Sequence, residues 1–81
     1  MNYTIEKEDK EYVMVKAIPE TDNDKKMLTM LNDESTNHDQ PELKSILNAA
    51  GSVVQAKGFK VIQVDVPNAN VFPVKVQPKY Y

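Results

Sequence analysis

The chain has 81 residues, 41% of them hydrophobic and 27% charged, with twelve acids, ten lysines and no arginine, cysteine or tryptophan. That length holds one domain, spanning residues 1–81, with a small core. The missing cysteines exclude a disulfide framework and a cysteine-ligated zinc site. No apolar run approaches the roughly 20 residues of a membrane span, and Met1 to Glu11 is too polar for a secretory signal. The expectation is a small cytoplasmic domain with no membrane contact.

Asn2 to Lys7 alternates Tyr3 and Ile5 with polar residues, the period of a half-buried strand. Glu8-Asp9-Lys10-Glu11 is a charged turn. Tyr12 to Ile18 is a stronger strand, with Val13, Val15 and Ala17 on one face and Tyr12, Met14 and Ile18 on the other. A strand apolar on both faces belongs in the middle of a sheet. Pro19 ends it.

Thr21-Asp22-Asn23-Asp24 offers helix N-cap chemistry. Met27, Leu28, Met30 and Leu31 then give the apolar face of a short helix, which fades at Asn32. Residues 34–40 read as a polar, mobile loop. A second helix begins with Asp39 or Gln40 as cap and Pro41 in the first turn. Leu43, Ile46, Leu47, Ala50 and Val54 form one stripe along it, and Gly51 allows close approach to a sheet. Lys57-Gly58 is a helix C-terminal signature.

Phe59 to Val66 is a third strand, in which Ile62, Val64 and Val66 alternate with Val61, Gln63 and Asp65. Pro67-Asn68-Ala69-Asn70 is a turn. Val71 to Gln77 is a fourth strand, and Pro73 within it argues for an edge position or a bulge. Residues 78–81 form a short tail, whose Tyr80 and Tyr81 are of an interface-rich type. The order ββααββ makes an α+β fold, a four-stranded antiparallel sheet with two helices packed on one face.

Charge is divided along the chain. Residues 1–42 hold eleven acids and five lysines, whereas residues 43–81 hold one acid and five lysines. Such asymmetry marks either attraction between the halves or an acidic surface for a basic partner. Glu6, Glu8, Asp9, Glu11, Asp22 and Asp24 are the acidic candidates. The lack of arginine and of a basic stripe argues against direct nucleic-acid binding. The alternative function keeps it, with Lys57, Lys60, Lys75 and Lys79 as phosphate contacts.

Catalytic constellations are missing. His38 and Asp39 are neighbours in a polar loop, a poor geometry for a base and its orienting acid. Ser35 shares that loop and Ser52 lies on a helix, so no triad forms. Asp22 and Asp24 begin a D-x-D, but an EF-hand loop starting at Asp22 needs glycine where Met27 stands. With two glycines, Gly51 and Gly58, there is no phosphate-binding loop. No enzyme, cofactor or metal site is expected.

The two-sided strands carry the functional expectation. If the helices cover Ile5, Val13, Val15, Ile62, Val64, Val66, Phe72, Val74 and Val76, then Tyr12, Met14, Ile18, Phe59, Val61 and Val71 lie on the open face. That apolar patch has the size of an interaction surface. Burying about 300 Å² of it contributes roughly 7 kcal/mol before association costs. The expected function is a small non-enzymatic protein-interaction module, an inhibitor or modulator of a larger, basic, nucleic-acid-handling protein. Dimerisation through the same surface is the other use of such a patch.

Overall fold

The fold is that of a computed structural model, which describes residues 1–33, 35, 37 and 39–78. The strands are β1 (Asn2–Glu8), β2 (Tyr12–Ile18), β3 (Val61–Val64) and β4 (Val71–Val76), and the helices are α1 (Asp22–Asn32) and α2 (Pro41–Ala56). Every strand pairing is antiparallel, and the sheet order is β1-β2-β4-β3. The α+β architecture expected from the sequence is the one observed. The loop residues Glu34, Thr36 and His38 and the tail residues Lys79, Tyr80 and Tyr81 lie outside the described residues.

Local chemistry sets the helix ends. The Thr21 hydroxyl accepts the Asp24 N–H at 3.1 Å, and the Asp24 carboxylate accepts the Thr21 N–H at 3.3 Å. This reciprocal capping box starts α1. Pro41 stands in the first turn of α2, but its cap is Gln40, whose side chain makes no capping hydrogen bond. At the far end Lys57 is the C-cap and Gly58 has φ +93°, a left-handed closure that favours glycine.

Alternation along β2 and β4 builds the core. Val13, Val15, Ala17, Phe72, Val74 and Val76 are buried on one face. Leu28 and Leu31 from α1 and Leu43, Ala50 and Val54 from α2 complete it, and Tyr3 and Ile5 pack against its β1 side. The Tyr3 and Phe72 rings meet edge to face with centroids 6.5 Å apart. α2 crosses all four strands, and α1 packs against α2.

Gly51 lies where α2 approaches β3. A Cβ at this position would stand 3.1 Å from Val64 Cγ2 and 3.9 Å from Val61 Cγ1. Both valines therefore face the helix. Counted by strict alternation, Ile62, Val64 and Val66 share the covered face and Phe59 and Val61 the open one. The structure corrects this. A register shift between Val61 and Gln63 makes Ile62 an extra, bulged residue. Val61 and Phe59 pack against the core, whereas Ile62 is 57% and Val66 42% exposed.

Pro73 is the second correction, because β4 is central. Val76 N–H donates to the Glu11 carbonyl and Ala17 N–H to the Asn70 carbonyl. With the observed register, these bonds make Met14–Pro73 a non-hydrogen-bonded pair, which needs no N–H from Pro73. The missing donor points instead toward β3. There Asp65 N–H donates to the Pro73 carbonyl at 2.9 Å, nothing can be returned, and β3 stops at Val64. A proline thus fits a central strand by facing the point where its short neighbour ends.

The β3–β4 turn closes on a two-residue loop. Asn68 and Val71 exchange two N–H···O bonds of 3.1 Å, and Ala69 and Asn70 have φ of 52° and 65°. Positive φ at both positions is the type I′ pattern, which disfavours alanine. Ala69→Asn is expected to raise stability by about 0.5–1 kcal/mol, read from urea denaturation. Conversely, Gly51→Leu forces a side chain against Val64 and is expected to cost about 1–3 kcal/mol in the same assay.

Candidate functional site

The face of the sheet that neither helix covers, among the described residues, is the candidate site. Cross-strand register defines it row by row, because residues directly opposite one another share a face. Asn2 lies opposite Ile18, and Thr4 opposite Lys16, which is opposite Val71. Lys7 lies opposite Met14, which is opposite Pro73, and Tyr12 is opposite Lys75, which is opposite Gln63. Tyr12, Met14, Val71 and Pro73 are half-buried, and Ile18 is 41% exposed. The result is an apolar centre on β2 and β4 with a polar border of Thr4, Lys7, Lys16, Lys75 and Gln63.

Of the apolar residues named from the sequence, Tyr12, Met14 and Ile18 lie on this face, whereas Phe59 and Val61 do not. Ile62 takes the exposed position that alternation assigned to Val61. No local signal announces the bulge, since Lys60 to Asp65 reads as an ordinary strand. Pro73 also joins the apolar centre, a place that the rule of edge or bulge positions for strand prolines does not suggest.

The acidic candidates separate into two groups. Glu6, Glu8, Asp9 and Glu11 surround the β1–β2 turn, at the Tyr12 end of β2. Asp22 and Asp24 lie past its Ile18 end, so the seven-residue length of β2, roughly 20 Å, stands between the groups. Glu6 pairs with Lys16 at 3.8 Å and Asp9 with Lys7 at 3.6 Å, both on the surface. Glu8 and Glu11 are exposed at the turn.

Asp24 is committed to structure. Its carboxylate accepts the Glu20 N–H at 3.0 Å and the Thr21 N–H, and it lies 3.0 Å from the Met1 ammonium. Glu20 holds the same ammonium at 3.1 Å. Met1 itself packs against the core. The Glu20 and Thr21 amides and the ammonium hold the Asp24 carboxyl below its ordinary range. Asp24, then Glu20, raises the Met1 amine above its usual value. The lowered carboxyl contributes stability above its unfolded value, near 3.9, that fades as pH falls through the native one. The raised amine contributes stability below its unfolded value, near 8, that fades as pH rises through the native one. Asp24→Asn is therefore expected to flatten both the acid limb below about pH 4 and the alkaline limb above about pH 8 of a Tm–pH profile.

Two of the serine hydroxyls have local partners. The Ser52 hydroxyl donates to the Asn48 carbonyl at 2.9 Å within α2, and the Ser35 hydroxyl donates to the Asp33 carboxylate at 2.8 Å. Ser45, a further serine on α2, is exposed. Among the described residues, no three acids or histidines gather to hold a metal ion, and no helix is long and apolar enough to cross a membrane. Of the lysines considered for phosphate contacts, Lys57 caps α2, Lys60 precedes β3 and Lys75 lies on the open face, all exposed. Lys79 lies outside the described residues. Comparison with models of protein families, with curated proteins and with solved structures gives no match to this chain.

Proposed function

We propose that the chain is a non-enzymatic protein-interaction module, an inhibitor or modulator that holds a larger protein against its open sheet face. One observation carries this reading. Both helices pack on the same side of the sheet, and the other side presents Tyr12, Met14, Val71 and Pro73 in adjacent register positions with a lysine-bearing border. An apolar centre inside a polar rim is the anatomy of a protein interface, and tyrosine and methionine are enriched in such centres. The acidic turn beside Tyr12 adds a second element. Glu8, Asp9 and Glu11 there attract a basic partner and speed encounter more than they deepen affinity.

The test uses variants whose side chains project away from the core. Met14→Glu is expected to weaken partner capture from the native cell at least tenfold while Tm stays within a few degrees, because a charge placed in a desolvated centre costs about 2 kcal/mol or more. Glu8→Lys with Glu11→Lys is expected to slow association and to reduce its dependence on salt. Equal capture by wild type and Met14→Glu would exclude the face.

A second reading is a nucleic-acid-associated regulator. Tyr12 opposite Lys75, with Lys16 on the same face, favours it, since a stacking ring beside cations suits single strands. Lys57 and Lys60 would extend the contact. A gel-shift titration with mixed-sequence DNA and RNA at low salt separates the readings, and no shift at micromolar protein removes this one.

A further inference from the structure

The two edges of the sheet differ in construction. The β1 edge carries Glu6, Lys7 and Glu8 together with a bulge at Glu6. Charge and local twist of this kind keep an edge from pairing with another strand. The β3 edge has no charge between Val61 and Val64, and its Ile62 is more than half exposed.

Backbone hydrogen bonds show which groups of β3 face outward. Gln77 N–H donates to the Lys60 carbonyl at 2.9 Å, and Asp65 N–H donates to the Pro73 carbonyl at 2.9 Å. These bonds bracket the pairs Val61–Val76 and Val64–Val74. Both are therefore non-hydrogen-bonded pairs, and the N–H and C=O of Val61 and of Val64 point to the free edge. With Ile62 bulged, these two valines stand as residues two apart stand on a regular strand, and both face the helix side.

The segment from Lys60 to Asp65 is complementary to itself. Turned about a two-fold axis between Ile62 and Gln63, it meets a second copy antiparallel. Val61 then lies opposite Val64 of that copy, both on the covered side. Ile62 lies opposite Gln63 and Lys60 opposite Asp65, all on the open side, with the end charges opposed. Strict alternation would forbid this register, because Val61 and Val64 would fall on different faces. The bulge makes the faces match. Asp65 accepts a hydrogen bond from the Gln63 side chain on that same side.

We infer that β3 is a homodimerisation edge, through which two copies of this chain join β3 to β3 into one eight-stranded sheet. Val61 and Val64 supply two donors and two acceptors per copy, and Lys60 pairs with Asp65 at both ends of the seam. The contact runs along a strand edge and takes only Gln63 from the border of the open face, leaving Tyr12, Met14, Val71 and Pro73 free, so it stands or falls apart from the proposed partner surface.

Sedimentation equilibrium from micromolar to millimolar protein, with amide exchange followed by NMR, tests it. The expected result is a concentration-dependent dimer in which the Val61 and Val64 amides gain protection as the dimer forms. Asp65→Lys, which sets lysine against Lys60 twice, is expected to weaken the dimer about tenfold or more. Adding Lys60→Asp should restore it. Ile62→Lys should give a monomer with its Tm unchanged at high dilution. A monomer at every concentration, or a dimer in which the Val61 and Val64 amides stay unprotected, would overturn the inference. A dimer indifferent to Asp65→Lys and Ile62→Lys would do the same.

Discussion

The packing of α2 across the sheet is the contact on which the rest of the molecule depends. One helical stripe, Leu43, Ala50 and Val54, meets the inward valines of β2 and β4, and Gly51 lets the helix backbone come down onto β3. α1 then packs against α2 and lends Leu28 and Leu31 to the same core. The described residues build this one core. Among the described residues no helix covers the opposite face of the sheet, where Tyr12, Met14, Val71 and Pro73 are half-buried.

The same economy governs the polar groups. Asp24 both closes the start of α1 and anchors the Met1 ammonium, so one carboxylate ties a helix end to the first strand. Asn70 joins three elements, its carbonyl accepting the Ala17 N–H and its side chain accepting from Asn32 at the end of α1. Acids that look alike in the sequence therefore differ in availability. Asp24 is consumed by folding, Glu6 and Asp9 sit in weak surface pairs, and Glu8 and Glu11 project from the turn. At one end of the sheet the acidic turn and Lys60 flank the end of β4, since Val76 N–H donates to the Glu11 carbonyl and Gln77 N–H to the Lys60 carbonyl.

Two local departures from regular strand geometry shape the surfaces that a partner meets. The bulge at Ile62 turns Val61 inward and pushes an isoleucine out at the sheet edge. Pro73 halts β3 and places its ring beside Met14 on the open face. Bulges and prolines commonly mark where a sheet must stop or bend, and here they also decide which apolar groups stay in water.

Much of the fold was legible in the residues because it rests on short-range rules. The alternation of β2, the Thr21–Asp24 capping box, Pro41 in the first turn of α2 and the Lys57-Gly58 ending each follow from contacts within a few positions, and element order then restricts the topology to an α+β sheet. The faces of β3 were not legible. A one-residue insertion reverses inside and outside, and whether it occurs depends on the fit of Val61 and Val64 beneath Gly51, a contact between segments ten or more positions apart. The place of β4 in the centre of the sheet was hidden for the same reason, since only the register with β2 and the early end of β3 show that the missing N–H of Pro73 leaves the β2–β4 ladder intact. Local propensity wrote the elements, and long-range packing chose which of their surfaces remain in contact with water.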